Sequence, residues 1–209
     1  TTTEPYTPDA ASAGRRALRN AALTLLTSRG GLEDYARLDR HFTFATNMTD
    51  TAHALSLLAG IDIPARTRAL ASFFERWQGD HLVIDMWFAV QAQSPLPTTL
   101  NTVRELAAHP LFKLSTPNKV RALLGTFALS NPLQFNRADG EGYAFLAEKV
   151  LEVDKLNPQV SARLLGAFRS YRALEPNRMR LAADALSRVA STPGISRDLG
   201  EIVGRMLED

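Results

Sequence analysis

The chain has 209 residues, 45% hydrophobic and 22% charged, with a formal net charge of +2, the proportions of a globular protein long enough for a continuous core. It has no cysteine, which excludes disulfides, thiolate metal sites and cysteine nucleophiles. No apolar run approaches the ~18 residues of a membrane span, and the small, interspersed charge argues against nucleic acid as a partner, since such binding needs clustered basic residues.

The chain opens on "TTTEPYTPDA", polar and Pro-containing, unlike a signal peptide. Residues 1–10 read as a linker from a missing upstream domain, and residues 11–209 as a single helical-repeat domain. The cytoplasm is the expected setting. From there almost every segment has the helical period. "RRALRNAALTLLTS" puts Leu18, Ala22, Leu25 and Leu26 on one stripe, and "GLEDYARLDRHFTFA" does the same with Leu32, Tyr35, Leu38 and Phe42. "TDTAHALSLLAG" closes on Gly60, a residue suited to end a helix. "PARTRALASFFERWQG" starts at Pro64 and ends near Gly79. "DHLVIDMWFAVQAQ" is apolar on most faces and is expected to be the most buried helix.

"SPLPTTLNTVRELAAH" opens on a Pro-rich turn, and "TPNKVRALLGTFALS" has Pro117 at its head. "NPLQFNRADGEG" is expected to be the longest irregular stretch, with "DGEG" as a turn leading into the helix "YAFLAEKVLEVDKL". "NPQVSARLLGAFRSYRAL" is read as one helix, capped by Asn157 with Pro158 in the first position. "EPNRMRLAADALSRVAS" and "SRDLGEIVGRMLE" complete the set. Strand alternation and Asn-Gly hairpins are absent. Helix starts recur roughly every 16 to 22 residues, so pairs recur at about 35 to 40, the range of HEAT and armadillo arrays. The expected fold is all-α, an α-solenoid or superhelix of stacked antiparallel helix pairs with a concave side; an irregular helical bundle is the alternative.

Chemistry is hard to find. The four histidines stand alone, without the Glu and second His of a zinc helix. There is no phosphate loop and no nucleophile elbow. Glu148 and Glu152 share a face beside Lys149 and Lys155, the pattern of a solvated surface. Trp77, Trp87, Phe73, Phe74 and Phe88 read first as packing between adjacent helices and second as a stacking surface. Arg163, Arg169, Arg172, Arg178 and Arg180 form the strongest basic excess, a solvated or partner-facing surface before a nucleic-acid stripe. Gln159 and Arg163 are four apart, hence on one helix face. An arginine so early in a long helix gains nothing from the dipole. Periodicity and spacing alone stop at a solenoid serving as an interaction module.

Four segments go further. "NMTDTAHAL" (47–55), "FFERWQGDHLVIDMWFAVQA" (73–92), "HPLFKLSTPNKVRALLGTF" (109–127) and "FNRADGEGYAFLAEKVLEVDKLNPQVSARL" (135–164) resemble, in the same order, segments of the C-terminal domain of bacterial aminopeptidase N, a zinc metallopeptidase family. The resemblance runs from about "GRRALRN" to the end. It implies a helical domain that packs over a catalytic domain, encloses the active-site chamber and gates peptide access. The family's His-Glu-x-x-His zinc helix and Gly-x-Met-Glu-Asn motif do not occur in this chain, so the resemblance implies an inactive piece whose zinc lies in the missing catalytic domain. Its partners would be that domain and peptide substrates. It also implies that Gln159 and Arg163 line the substrate chamber. The competing expectations are that Arg163 only pairs with an acid such as Asp154 or Glu152, and, for the whole chain, a free-standing peptide- or protein-binding solenoid or, remotely, an independent hydrolase.

Overall fold

The computed structural model describes residues 6–208, and among these every regular element is helical. Residues 1–5 of the linker read from sequence lie outside that range. Contacts group the chain into two compact units, residues 1–94 and 95–209.

The first unit contains α1 (Ala10–Thr27), α2 (Leu32–Phe44), α3 (Met48–Ala59), α4 (Pro64–Trp77) and α5 (His81–Ala92). Local chemistry fixes the starts. The side chains of Asp9, Asn47 and Asp80 accept hydrogen bonds from first-turn N–H groups of α1, α3 and α5, and Pro64 opens α4. α3 packs against α1, α2, α4 and α5. Leu55, Leu58 and Phe88 are fully buried there.

The sequence chose the wrong face of α1. Leu18 and Leu25 are 74% and 72% exposed, while Ser12, Arg16, Asn20, Leu23 and Thr27 turn inward. The inward set also recurs at three- and four-residue steps, so helical spacing allowed either stripe. Most of its polar groups are tied down: Arg16 donates to Thr7 O at 3.0 Å, and Thr27 Oγ1 to Leu23 O at 2.9 Å, while Asn20 Oδ1 is buried with no partner among the described residues. Beside them Arg19 reaches Asp50 of α3 at 2.5 Å. In α2 the stripe is half right, with Leu38 fully buried and Leu32 87% exposed.

The second unit runs through α6 (Thr99–Ala107) and α7 (Pro117–Val120), which continues as a π-helical turn (Arg121–Gly125) into α8 (Thr126–Ser130). Then come α9 (Pro132–Phe135), α10 (Glu141–Asp154), α11 (Pro158–Leu165), 3-10 turns at Gly166–Phe168 and Tyr171–Ala173, α12 (Pro176–Ser191) and α13 (Arg197–Glu208). α10 packs on α11 and α12, and α13 on α11 and α12.

Here the expected irregular stretch is partly ordered. Asn131 caps α9, whose Phe135 is 2% exposed. Phe135 meets Phe127, Tyr143 and Phe168 edge-on, with ring centroids 5.2–6.2 Å apart, the favourable geometry for aromatic quadrupoles. "DGEG" is a turn into a helix as expected. Gly140 has φ of +73° ahead of α10, and a Cβ at Gly142 would sit 2.3 Å from Phe135 O. Only a glycine lets α10 start this close to α9. α10, rather than α5, buries the larger share: eight of fourteen residues against six of twelve.

Candidate functional site

α11 carries the two candidate chamber residues. Asn157 Oδ1 accepts from Val160 N at 3.1 Å, and Pro158 occupies the first turn. Ser161, Leu164 and Leu165 are buried, and Ser161 Oγ donates to Val150 O of α10 at 2.8 Å. With that face pinned, Gln159 and Arg163 emerge together on the exposed side. Val160, between them on the helix, is half-buried.

The helix is shorter than its sequence suggested. Its α-helical part ends at Leu165, so Arg163 lies in the last turn, where the dipole favours a cation. The unfavourable placement inferred from a single long helix does not exist. The cause is non-local: Phe168 turns into the aromatic cluster, and Tyr171 Oη donates to Met206 O of α13 at 3.1 Å.

The acids suggested as partners for Arg163 are engaged elsewhere. Glu152 accepts from Lys149 Nζ at 2.8 Å. Asp154 accepts from the N–H and hydroxyl of Ser196 at 2.7 and 2.5 Å, ordering the start of α13. Arg163 has no ion pair among the described residues.

The basic excess also divides. Arg178 Nε donates to Asn136 O at 2.6 Å, and Arg180 bonds Asp184 and Asn177, each at 3.1 Å. Arg163, Arg169 and Arg172 instead line a cavity of about 390 Å³ with Arg205, Tyr171, Ile202 and Met206. Arg205 could not be foreseen from the local charge run, because α13 brings it from a distant part of the chain.

The other candidates have structural roles. Trp87 is 9% exposed and donates through Nε1 to Leu70 O at 3.0 Å. Its ring lies 4.9 Å from Phe74 and 5.4 Å from Phe88. Trp77 is half-buried and, with Phe42 and Arg76, lines a cavity of about 230 Å³ in the first unit. Among the histidines, burial pulls His41 below its ordinary range; Asp50 opposes the shift, and Arg19 reinforces it. Burial also lowers His109. Among the described residues no group of three or more His, Cys, Asp or Glu side chains is placed to hold a metal ion, and no helix is long and apolar enough to cross a membrane.

These features can be set beside known proteins. Residues 1–208 match the family described as a domain of unknown function, DUF3458_C, with ARM repeats. The chain belongs to this family. The expected armadillo-like all-α repeat fold is therefore the family's fold. Aminopeptidase N of Caulobacter vibrioides is 41% identical over 202 residues, covering 97% of this chain and 23% of that protein. Aminopeptidase N of Escherichia coli is 36% identical over 194 residues, covering 92% of this chain and 22% of its own length. The crystal structure of Legionella pneumophila aminopeptidase A in complex with aspartic acid superposes with a TM-score of 0.90 at 30% identity, covering all of this chain and 25% of that one. The likeness to the C-terminal helical domain of aminopeptidase N thus runs through this DUF3458_C chain, which spans about a quarter of the length of those relatives.

Proposed function

We propose that the chain is the non-catalytic C-terminal domain of a zinc-dependent aminopeptidase N that cleaves N-terminal residues from peptides in the cytoplasm. In this reading it encloses the active-site chamber and gates access to it. Residues 1–10 link it to its upstream catalytic domain. The observation that carries the reading is the 41% identity across nearly this whole chain, confined to less than a quarter of the relative. Among the described residues no group of His, Cys, Asp or Glu side chains is placed to hold a zinc ion, and in this reading zinc chemistry belongs to the catalytic part. The exposed Leu18 and Leu25 of α1 supply apolar surface for another part of the longer protein to cover.

Gln159 and Arg163 are the outer substrate contacts. The guanidinium is a fixed charge with a planar fork, suited to a peptide's carboxylate or backbone carbonyls. The Gln159 amide both donates and accepts, as a peptide backbone requires. Closing a helical wall over the reaction site would keep out bulk water and folded chains.

The reading frame upstream of this chain should encode a His-Glu-x-x-His segment; a frame without one would refute the assignment. In the full-length enzyme, Arg163→Ala should raise KM for peptides more than for a single-residue amide, by a factor equivalent to ~1–3 kcal/mol. Equal changes for both substrates would show that Arg163 makes no substrate contact. The 209-residue chain given zinc and an aminoacyl chromogenic substrate should show no turnover above the metal blank.

A further inference from the structure

Charge in the second unit is sorted between cavities. The cavity around Gly140 and Leu181 is lined by Asp139, Glu141 and Asp184 with one cation, Arg188. The cavity formed by α11, the two 3-10 turns and α13 is lined by four arginines and no carboxylate. The whole chain carries a formal charge of only +2, so this concentration is local. Four guanidiniums around one hollow repel one another. Only Arg205 has an acid, Glu201, paired with it, and such breaches of local charge logic are expected where a site binds something.

The four are not equivalent. Arg172 Nη2 donates to the Met206 and Leu207 carbonyls at 3.3 and 3.0 Å, at the end of α13, and its guanidinium lies 5.3 Å from the Tyr171 ring. Arg205 pairs with Glu201 one turn back. Both are held in place with donors to spare. The guanidiniums of Arg163 and Arg169 have no hydrogen bond or ion pair among the described residues. Both are exposed at the cavity's edge. The walls are fixed by the Tyr171–Met206 hydrogen bond and are apolar at Tyr171, Ile202 and Met206. Low-dielectric walls beside charge of one sign concentrate the field on a counter-ion. Gly166 also lines the cavity, and a Cβ there would meet no atom within 4 Å.

We propose that this cavity is an oxyanion site that takes a carboxylate or phosphate group, with Arg163 and Arg169 as its principal donors and Arg172 and Arg205 supplying the flanking field. A bidentate guanidinium fork matches either anion. The apolar wall favours a molecule with a short hydrophobic portion next to its charge. All the lining residues belong to this chain, so the site can be tested on it alone, and at Arg163 it rests on the same residue as the chamber reading.

The test uses the 209-residue chain and the arginine Hε–Nε resonances, titrated at constant ionic strength with inorganic phosphate, with tri-alanine and with tri-alanine amide. The resonances of Arg163 and Arg169 should shift and saturate in the millimolar range with at least one of the two anions. Saturation by phosphate alone or by tri-alanine alone supports the site and identifies the source of the anion. The amide, lacking the carboxylate, should bind about tenfold more weakly than the acid or not at all. The double variant Arg163→Gln/Arg169→Gln should lose about tenfold or more in affinity. Gly166→Leu should block binding by filling the hollow with the charge unchanged. Arg180→Gln, outside the cavity, should bind like the parent. No saturation by either anion below roughly 50 mM, equal shifts at Arg180, or undiminished binding in the double variant would overturn the proposal.

Discussion

Both units bury helices against helices, and both use rings, with Trp87 against Phe74 and Phe88 in the first, but the covered face of α1 is built from different materials. The second closes around rings: Phe127, Phe135, Tyr143 and Phe168 interlock edge-on, and α10 starts so close to α9 that only Gly142 fits. The first turns a largely polar face of α1 inward and leaves leucines outside. The Arg19–Asp50 pair and hydrogen bonds hold what rings hold elsewhere. Non-directional packing tolerates no added volume, whereas a polar interface depends on having its partners present.

The sharpest way to break this contrast is Gly142→Ala. A methyl group 2.3 Å from Phe135 O cannot be relieved by rotating a side chain, so α10 must move, at a cost at or above the ~1–3 kcal/mol typical of overpacking. A fall in urea midpoint with unchanged slope checks it. Phe135→Ala, which empties the aromatic centre, should cost ~3–5 kcal/mol by the same measurement. In the first unit, Asp50→Ala strips Arg19 of its partner. With Asp50 2% exposed but Arg19 26% exposed, water re-solvates the arginine and the loss should be ~1–3 kcal/mol.

Acid should act more gently and on both units, since burial lowers His41 in the first and His109 in the second. Burial depresses the His41 pKa, so in the folded state the ring stays neutral to lower pH than in the unfolded chain. As pH falls below about 6.5 the unfolded chain takes up the proton first, and stability declines until the folded-state pKa is passed. His41→Gln should flatten the part of the urea-midpoint curve between pH 7 and 5.5 that the parent loses there; an unchanged slope would show that other groups carry it. The smallest thermodynamic effect belongs to Leu25→Gln. At 72% exposure the substitution should alter stability by under ~0.5 kcal/mol, yet light scattering at high concentration should show less self-association. A parent chain that is a clean monomer would show that α1's outer face is not adhesive.

Gln159 and Arg163 were legible as a pair on one face, because four-residue spacing and the Asn-Pro start of α11 are local facts. The full arginine cavity was not, because Arg205 reaches it only through the packing of α13 on α11. α9 was hidden for a similar reason: four residues are too few to show a period, and only the capping Asn131 and the burial of Phe135 make them a helical turn.

By itself the sequence determined the helical class, most helix starts and the small residues where chain segments meet, since capping, proline and glycine preferences act within a few residues. Tertiary structure decided which of two stripes on α1 is covered, where α11 stops and which arginines remain unpaired. Periodicity defines a face, but only the neighbour that covers it, brought from elsewhere in the chain, determines whether that face is inside.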